Sequence, residues 1–327
     1  MKNEGRRARI IGTGSYVPER IMTNQDFEKI VDTSDEWIRA RTGIVERRRA
    51  ADWQASSDLA IEAARRAMSK ANVAPEEIDL IICGTITPDR MLPSTASYIQ
   101  RELKAVNAWA FDLAAACSGF IYGLAVGSQF IETGRYRTVL MVSTEILSRL
   151  IDYTDRGTCV LFGDGAGAAI LRTCEDGSGL LSFDLGADGN GADLLDVSGG
   201  VSRLTGDTES AQHHIRMQGN EVFKFAVRAM EDSIEKALRL AGLDKSDLDF
   251  LIPHQANLRI IQATLKRLGL PPEKSVVNID RYGNMSGASV AVALDEALEQ
   301  KLIQPGDCVG IVAFGGGLTW GACVMYL

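Results

Sequence analysis

The feature that most constrains this chain is an internal repeat, because four segments of the first half recur in the same order in the second. The segment DLIICGTITPD corresponds to DFLIPHQANLR, and TVLMVS corresponds to CVGIVAF. FDLAAACSGFIYGLAV pairs with NIDRYGNMSGASVAVAL, which matches Ser118-Gly119 to Ser286-Gly287, and FGDGAGAAIL pairs with FGGGLTWGACVM. The first three offsets are about 168–170 residues, and a conserved order at one spacing is typical of a duplicated structural unit.

Both copies of the repeat are predicted to be α/β units. Apolar runs without alternation, typical of strands buried on both faces, lie at Asp79–Thr85, Thr138–Ser143 and Cys308–Phe314. Helical patterns lie at Ser57–Ala71, Ser118–Glu132, Glu221–Ala241 and Asn257–Leu268. We therefore predict two halves, residues 1–173 and 174–327, packed together without a low-complexity linker.

Composition excludes several classes of protein. A formal net charge of −8 argues against a broad nucleic-acid interface. No apolar run approaches the roughly 18 residues that cross a bilayer, and the N-terminus lacks the apolar core of a secretory signal. A cytoplasmic location without a membrane partner is therefore expected, and its reducing conditions would leave the six cysteines as free thiols. None of them forms a CxxC pair or lies at ligand spacing to a histidine, so no metal site is expected.

One cysteine, Cys117, is better placed to react than the others. Four lie in apolar, strand-like runs where a thiol usually fills the core, namely Cys83, Cys159, Cys308 and Cys323. Cys174 lies beside two acidic residues, which would raise the pKa of its thiol. Cys117 directly precedes a predicted helix, where the orphan N–H groups and the helix dipole stabilise a thiolate. Its position predicts a nucleophile, with simple packing as the alternative.

Two polar residues are candidate partners for this thiol. His254 follows a buried-type strand, and α/β folds place their sites at the carboxyl ends of strands. Asn284 lies near the point in the second half that matches Cys117, so a pseudo-twofold axis between the halves would bring the two residues face to face. A carboxamide N–H there could stabilise an oxyanion. The alternatives are a satisfied core or capping role for His254 and a turn or N-cap role for Asn284.

The glycine-rich segments do not predict dinucleotide binding. GTGSYV and FGDGAGAAIL both lack the order of strand, glycine turn and helix that a dinucleotide fingerprint requires, which disfavours a nicotinamide oxidoreductase. FGGGLTWG instead indicates a close backbone approach, with free N–H groups near a site.

The motifs AAACSGF, HQANLRI, YGNMSGAS and AFGGGLTWGA together resemble β-ketoacyl-acyl-carrier-protein synthase III, the family that initiates type II fatty acid synthesis. TSDEWIRARTGI, DRGTCVLFGDGAGAAIL and MQGNEVFKFAV extend the resemblance over nearly the whole chain. The resemblance implies the thiolase fold, an α/β fold with two pseudo-repeated βαβαβ halves in a five-layered αβαβα arrangement. Thiolases carry a second cysteine and elongating synthases a second histidine where this chain has Asn284, and chalcone-synthase-like enzymes are usually longer.

The resemblance also implies a two-stage mechanism. Acyl-CoA acylates Cys117, and malonyl-acyl carrier protein then loses CO₂ and attacks the acyl-enzyme to give 3-oxoacyl-acyl carrier protein. His254 and Asn284 would hydrogen-bond the thioester oxygen as the enolate forms, while the backbone N–H groups of Cys117 and Gly316 would hold the tetrahedral oxyanion. No cofactor is implied, because the CoA thioester is itself a substrate.

Binding of coenzyme A is implied at the entrance to this site, with Trp37 and Arg156 enclosing the adenine. The other implied contacts are Thr33, Arg41, Gly157, Gly219, Asn220, Phe223, Ala256 and Asn257. Without the resemblance, Trp37 would be predicted as a core or interface aromatic residue, and Arg41 as a solvated charge.

An acidic acyl carrier protein is the second implied partner, and in an acidic chain it would need a local basic patch. The implied docking residues are Gln255, Ala256, Asn257, Leu258, Arg259, Lys224, Lys266 and Arg267. A homodimer is also implied. Leu92, in the segment TPDRMLPSTAS, aligns with a residue that in relatives reaches across the dimer and closes the acyl pocket.

Two departures and two alternatives complete the prediction. Met285 stands where the family commonly has threonine, so the local support of Asn284 is expected to differ, and the segment around Leu92 also differs. One alternative is a starter synthase or acyltransferase of secondary metabolism with the same fold. The other is a non-catalytic thioester-binding relative, against which the intact set of cysteine, histidine and asparagine argues.

Overall fold

The computed structural model describes residues 6–197, 199, 202 and 213–327. The strands in these residues are β1 Arg7–Tyr16, β2 Arg20–Thr23, β3 Glu46–Arg49, β4 Leu80–Gly84, β5 Trp109–Leu113, β6 Thr138–Ile146, β7 Asp164–Cys174, β8 Gly179–Ala187, β9 Leu195–Val197, β10 Ile215–Met217, β11 Phe250–Pro253, β12 Cys308–Gly315 and β13 Thr319–Tyr326. The α-helices are α1 Asn24–Glu28, α2 Asp35–Thr42, α3 Ser56–Ala71, α4 Thr95–Leu103, α5 Gly119–Glu132, α6 Arg156–Cys159, α7 Gly219–Ala241, α8 Leu258–Leu268, α9 Ile279–Tyr282 and α10 Ala288–Glu299.

Two large sheets form the framework. In the first, with strand order β1-β7-β6-β4-β5, β4 is parallel to β5 and β6, and β7 is antiparallel to β1 and β6. In the second, with order β11-β12-β13-β8, only the β11–β12 pair is parallel. The first sheet ends in sequence at Cys174 and the second begins at Gly179, so each sheet is built from one side of that turn.

Helices cover both sheets and also separate them. Apolar residues of α5 and α10 share one core with the facing strands of the two sheets. Helices α3 and α4 pack on the outer face of the first sheet, and α7 and α8 pack on the second. The five-layered αβαβα arrangement is therefore confirmed. Because helices cover both faces, β4, β6 and β12 are buried along their whole length, as their unbroken apolar sequences predict.

The structure corrects one detail of the repeat. Strands β4 and β11 begin 170 residues apart, and so do β6 and β12. Two non-glycine residues with positive φ, Ala116 at 45° and Ser286 at 52°, have the same spacing. This spacing matches Cys117 to Gly287, whereas the sequence alignment matched the two Ser-Gly pairs and was two residues out of register. We call residues 116–119 the first elbow and residues 286–289 the second elbow.

Candidate active site

The three candidate catalytic side chains lie on three different loops and meet in one cavity of about 710 Å³. Cys117 is in a 3-10 turn before α5, His254 follows β11, and Asn284 precedes the second elbow. Their exposed fractions are 8%, 0% and 7%, so all three are buried against the cavity wall. The structure thus brings together residues that the sequence separates by up to 167 positions.

The backbone around Cys117 is tightly enclosed. Ala116 has a positive φ, which turns the chain sharply ahead of α5. A Cβ on Gly315 would lie 2.7 Å from the Cys117 nitrogen, so only glycine fits there. Burial raises the pKa of Cys117 to about 12, although the nearby Ser286 hydroxyl lowers it. In the protein without substrate, burial therefore outweighs the lowering expected from the helix dipole.

His254 is a neutral imidazole in an apolar setting. Its ring lies 5.7 Å from the ring of Phe314, edge to face, and burial lowers its pKa to about 3. Neither ring nitrogen has a hydrogen-bond partner among the described residues, and the backbone N–H donates to Val312 O at 2.8 Å. Buried nitrogens without partners are costly, so these atoms are available for a bound ligand.

Asn284 is oriented by its backbone and by the next turn. Its main-chain N–H donates to Leu161 O at 2.9 Å, and its carbonyl accepts from Gly163 N at 3.0 Å. The side-chain Oδ1 accepts from Ser286 N at 2.8 Å, which leaves the Nδ2 group to donate. Met285 is fully buried, and its N–H donates to Ser289 Oγ at 2.8 Å. The orientation of Asn284 thus requires no hydroxyl at position 285.

A second, smaller cavity of about 300 Å³ adjoins Cys117. Gly316 lines it, so the structure places both predicted oxyanion residues at its wall. The remaining walls are mostly apolar side chains, including Ile86, Leu147 and Phe162. An acyl chain attached to the Cys117 sulfur would have room here.

The mouth of the larger cavity carries most of the predicted coenzyme A residues. Those that line it are Trp37, Arg41, Gly157, Gly219, Asn220, Phe223, Ala256 and Asn257. The guanidinium carbons of Arg41 and Arg156 lie 4.9 and 4.8 Å from the Trp37 ring centroid. An adenine between Trp37 and Arg156 would need about 7 Å, two contacts of about 3.5 Å, so Arg156 would have to move aside. Thr33 does not line the cavity.

The predicted carrier-docking residues separate into two groups. Arg259, Lys266 and Arg267 are exposed on α8, and Lys224 is exposed on the adjacent α7. Gln255, in contrast, is fully buried: its Nε2 donates to Pro253 O at 2.8 Å and its Oε1 accepts from Asn278 N at 3.0 Å. Gln255 therefore cannot contact a protein partner, and its predicted docking role is wrong.

The neighbours of Gln255 have local structural partners. Asn257 caps α8 by accepting from Arg259 N at 2.9 Å and donates from Nδ2 to Arg41 O at 3.0 Å. Leu258 packs on Gly43, where an added Cβ would lie within 3 Å of its side chain. Ala256 is buried and faces the cavity rather than the surface. These contacts join α2 to α8 beside the cavity mouth.

Leu92 lies away from the cavities of its own chain. Its side chain is 84% exposed, and it lines neither of the two cavities beside Cys117. A contribution to an acyl pocket would require a second copy of the chain, so this role stays a prediction.

Sequence reasoning missed two polar residues behind the nucleophile. Glu145 is buried at the end of β6, and Ser286 is buried at the start of the second elbow. The available signal was a single carboxylate at the end of an otherwise uncharged buried strand. Elsewhere, the described residues contain no cluster of histidine, cysteine and carboxylate groups suited to a metal ion. In the same residues, no helix is both long and apolar enough to cross a membrane.

The fold and this site define a condensing enzyme of the thiolase fold, and comparisons with known proteins agree. Family models for 3-oxoacyl-[acyl-carrier-protein (ACP)] synthase III match residues 111–189, and for its C-terminal part 238–327. A third model, for stage V sporulation protein AD, matches residues 47–148.

Full-length relatives give the particular family. The β-ketoacyl-[acyl-carrier-protein] synthase III of Caldanaerobacter subterraneus subsp. tengcongensis is 55% identical over 97% of each chain. The crystal structure of the corresponding synthase from Thermus thermophilus is 48% identical, with a TM-score of 0.93 over 98% of this chain and 99% of that one. The priming β-ketosynthase of the R1128 polyketide pathway is 37% identical, with a TM-score of 0.94 over 99% and 97%. The chain belongs to the β-ketoacyl-[acyl-carrier-protein] synthase III family and is an acyltransferase-type condensing enzyme that initiates fatty acid synthesis.

Proposed function

We propose that this enzyme transfers an acyl group from acyl-CoA to Cys117 and condenses it with malonyl-acyl carrier protein. The observation that carries this assignment is the convergence of Cys117, His254 and Asn284 on one buried cavity that opens between Trp37 and the α7–α8 surface. The products are 3-oxoacyl-acyl carrier protein, CoA and CO₂.

Acyl transfer uses the two cavities beside Cys117. The sulfur attacks the thioester carbonyl, the acyl chain enters the smaller cavity, and CoA leaves through the larger one. The N–H groups of Cys117 and Gly316 hold the tetrahedral oxyanion, and removal of one such donor typically costs about 10²–10³ in rate. Helix α5 begins just after the nucleophile, so its positive end stabilises the negative charge at this point.

Decarboxylation relies on His254 and Asn284. Loss of CO₂ from the malonyl group leaves an enolate whose oxygen needs hydrogen-bond donors. The neutral imidazole can donate from one nitrogen, and the Asn284 carboxamide donates from Nδ2 because its Oδ1 is occupied. The apolar surroundings strengthen both interactions. The enolate carbon then attacks the Cys117 thioester.

Two different binding surfaces serve the two substrates. Trp37, Arg41 and Arg156 hold the adenine end of CoA, with Thr33 near the same entrance. The acidic carrier protein docks on α7 and α8, where Arg259 and Lys266 form no ion pair among the described residues. Lys224 and Arg267 are already paired on the enzyme, with Glu221 and Glu231.

The remaining assignments concern assembly, location and cofactors. We propose a homodimer through the β5 side of the first sheet, because β5 is an edge strand in the described residues and a partner copy would bring Leu92 to the acyl cavity. A cytoplasmic location is supported by six buried cysteines without a disulfide. The proposed chemistry needs no cofactor, since one thiol and two sets of hydrogen-bond donors supply each step.

A starter synthase of secondary metabolism is the second candidate function, favoured by the likeness to the priming β-ketosynthase. The two functions differ in the acceptor protein. The test is to incubate the enzyme with a series of acyl-CoAs, locate the acyl group by mass spectrometry and then add malonyl-acyl carrier protein. Acylation of Cys117 followed by formation of 3-oxoacyl-acyl carrier protein is expected. An unmodified Cys117, or an acyl-enzyme that does not condense, would contradict the proposal.

A further inference from the structure

Glu145 is a buried acid without a counter-charge, close to the nucleophile. Its carboxylate accepts from Ile86 N at 3.1 Å, from the Thr87 hydroxyl at 2.6 Å and from the Thr85 hydroxyl at 3.3 Å. No lysine or arginine among the described residues forms an ion pair with it. A carboxylate retained in such a place is expensive, and the mechanism described so far does not use it.

The second elbow packs between Glu145 and Cys117. Ser143 and Glu145 are two residues apart on β6, so they share one face of the strand. A Cβ on Gly287 would lie 2.6 Å from Ser143 Oγ and 3.3 Å from Ala116 O. The elbow therefore touches β6 beside Glu145 on one side and the Cys117 turn on the other.

The side chain at this junction is a hydroxyl without a partner. Ser286 Oγ is buried and makes no hydrogen bond among the described residues, and Ser286 lines the acyl cavity together with Cys117. Its presence lowers the pKa of both Cys117 and Glu145, because the hydroxyl can donate to either negative group. A hydroxyl has one proton to donate, so it serves one anion at a time.

We propose that Glu145 receives the proton of the Cys117 thiol through the Ser286 hydroxyl when the thioester is attacked. This inference rests on the nucleophilic role of Cys117 proposed above. As the S–H bond breaks, its proton passes to Ser286 Oγ and the hydroxyl proton passes to the carboxylate. The sulfur electron pair bonds to the carbonyl carbon. When the tetrahedral intermediate collapses, the CoA sulfur leaves with the C–S electron pair and takes a proton back along the same path.

Charge and burial favour Glu145 over His254 for this task. Burial raises the pKa of Glu145 to about 7, whereas burial lowers the pKa of His254 to about 3. A proton acceptor works best with a pKa near the working pH. The other titratable groups on which the Glu145 charge acts are Cys117 and Cys83, and it raises the pKa of both. Hydrogen bonds to Ser286 would tighten when substrate fills the cavity, as is common for catalytic groups.

The test uses iodoacetamide in place of acyl-CoA, so its outcome is independent of substrate and carrier recognition. The rate of Cys117 alkylation is followed by mass spectrometry between pH 5.5 and 9 at about half-unit steps. In the wild type, the thiolate paired with protonated Glu145 is the reactive form. Its population rises with pH up to the pKa of Glu145 and is then constant, so the profile should bend near pH 7.

In Glu145→Gln, this bend should be lost, and the rate should rise about tenfold per pH unit across the range. Ser286→Ala leaves Glu145 free to titrate, so it should keep the bend, but loss of the relay should slow acylation by acyl-CoA by about 10²-fold. Asp164→Asn is the matched control, because Asp164 is also a buried carboxylate but is bonded to Ala50 and Ser148. It should keep the bend. A purely structural role of Glu145 would lower the rate without changing the shape of the profile.

A bend that persists in Glu145→Gln, or its loss in His254→Ala alone, would overturn the proposal and assign the proton to another group. If Glu145→Gln does not fold, Ser286→Ala decides the question, and an unchanged rate of acylation by acyl-CoA in this variant would overturn the proposal. Acylation by acyl-CoA, measured separately on the wild type, tests the proposed function itself.

Discussion

The two elbows are built alike and used differently. Each has one non-glycine residue with positive φ just before a central helix, at a spacing of 170 residues. The first elbow carries the nucleophile Cys117 next to the strained residue. The second carries Gly287 at the equivalent position, where a side chain would collide with Ser143 Oγ and approach Ala116 O. A duplicated backbone turn thus holds a reactive group in one half, while the other half provides hydrogen-bond donors around it.

Replacing the nucleophile should have the largest effect. Cys117→Ala should form no acyl-enzyme and reduce condensation by about 10³-fold or more, because no other cysteine among the described residues lines either cavity. Mass spectrometry of the protein after exposure to acyl-CoA detects the acyl-enzyme. Cys174→Ala, also a buried cysteine, is the control and should acylate normally. Acylation elsewhere in the chain of Cys117→Ala would show that the first elbow does not hold the nucleophile.

Asn284 tests the donor role of the second half. Asn284→Ala should lose about 10²–10³ in decarboxylation of malonyl-acyl carrier protein and keep most acyl transfer, since only the enolate oxygen uses its Nδ2. Release of CO₂ and formation of the acyl-enzyme are measured separately. Asn284→Asp keeps the acceptor for Ser286 N but loses the donor, so it should behave like alanine. Equal loss in both half-reactions would contradict this division.

Glycine substitutions probe the contact between the elbows. Gly287→Ala should destabilise the protein by about 1–3 kcal/mol, the usual range for overpacking a core. Urea unfolding gives the value. Adding Ser143→Ala removes the oxygen that the new Cβ meets at 2.6 Å, so the double variant should recover part of the loss. Additive effects of the two changes would mean that the elbows are not packed as described.

His254, unlike Gly84 at the equivalent position of the first half, can take up a proton in acid, so it should affect the stability of the protein at low pH. Burial lowers the pKa of His254 from 6.5 to about 3, so the unfolded chain takes up a proton that the folded protein refuses. The resulting stability is complete above pH 6.5 and falls by about 1.4 kcal/mol per pH unit down to the folded pKa. The wild type should therefore lose stability faster than His254→Gln between pH 6.5 and 5. The free energy of unfolding of both proteins is measured by urea unfolding at each pH. If it falls equally in the wild type and in His254→Gln, the imidazole is solvated in the folded protein.

Charge on the docking surface should have the smallest effect. Lys266→Glu should raise KM for malonyl-acyl carrier protein by a few-fold to about tenfold at low salt and leave acyl transfer from acyl-CoA unchanged. Lys236→Glu, an exposed lysine further along α7, is the matched control and should change neither. An equal rise for both variants would indicate a general charge effect rather than a docking patch.

Much of the fold could be predicted because it depends on patterns that local sequence carries. Unbroken apolar runs identified β4, β6 and β12, and glycines after periodic segments marked the ends of α7 and α8. The nucleophile and its two partners followed from their positions at element ends. The register in which the two halves of the repeat align was less predictable. Two similar Ser-Gly pairs suggested that Ser118 is equivalent to Ser286, which the backbone geometry does not support.

Burial of individual polar residues was the other weak point. Gln255 lies in the same motif as the exposed Arg259. The sequence does not distinguish a glutamine that hydrogen-bonds within the chain from one that contacts a partner protein. The stacking of Arg156 on Trp37 joins chain segments more than 100 residues apart. Such contacts follow from how the layers pack, which local patterns do not encode.

The sequence by itself determined the duplicated α/β architecture, the family and the three residues around which the chemistry is built, because periodicity and motifs are properties of neighbouring residues. Only the tertiary structure decided the environment of those residues. It placed Cys117 in a buried turn where its thiol stays protonated, and it left the ring nitrogens of His254 without partners among the residues that the structure describes. It also brought Glu145 and Ser286 from separate halves to the back of the nucleophile. Desolvation and contact across layers set these properties, and both arise only when the two halves are packed together.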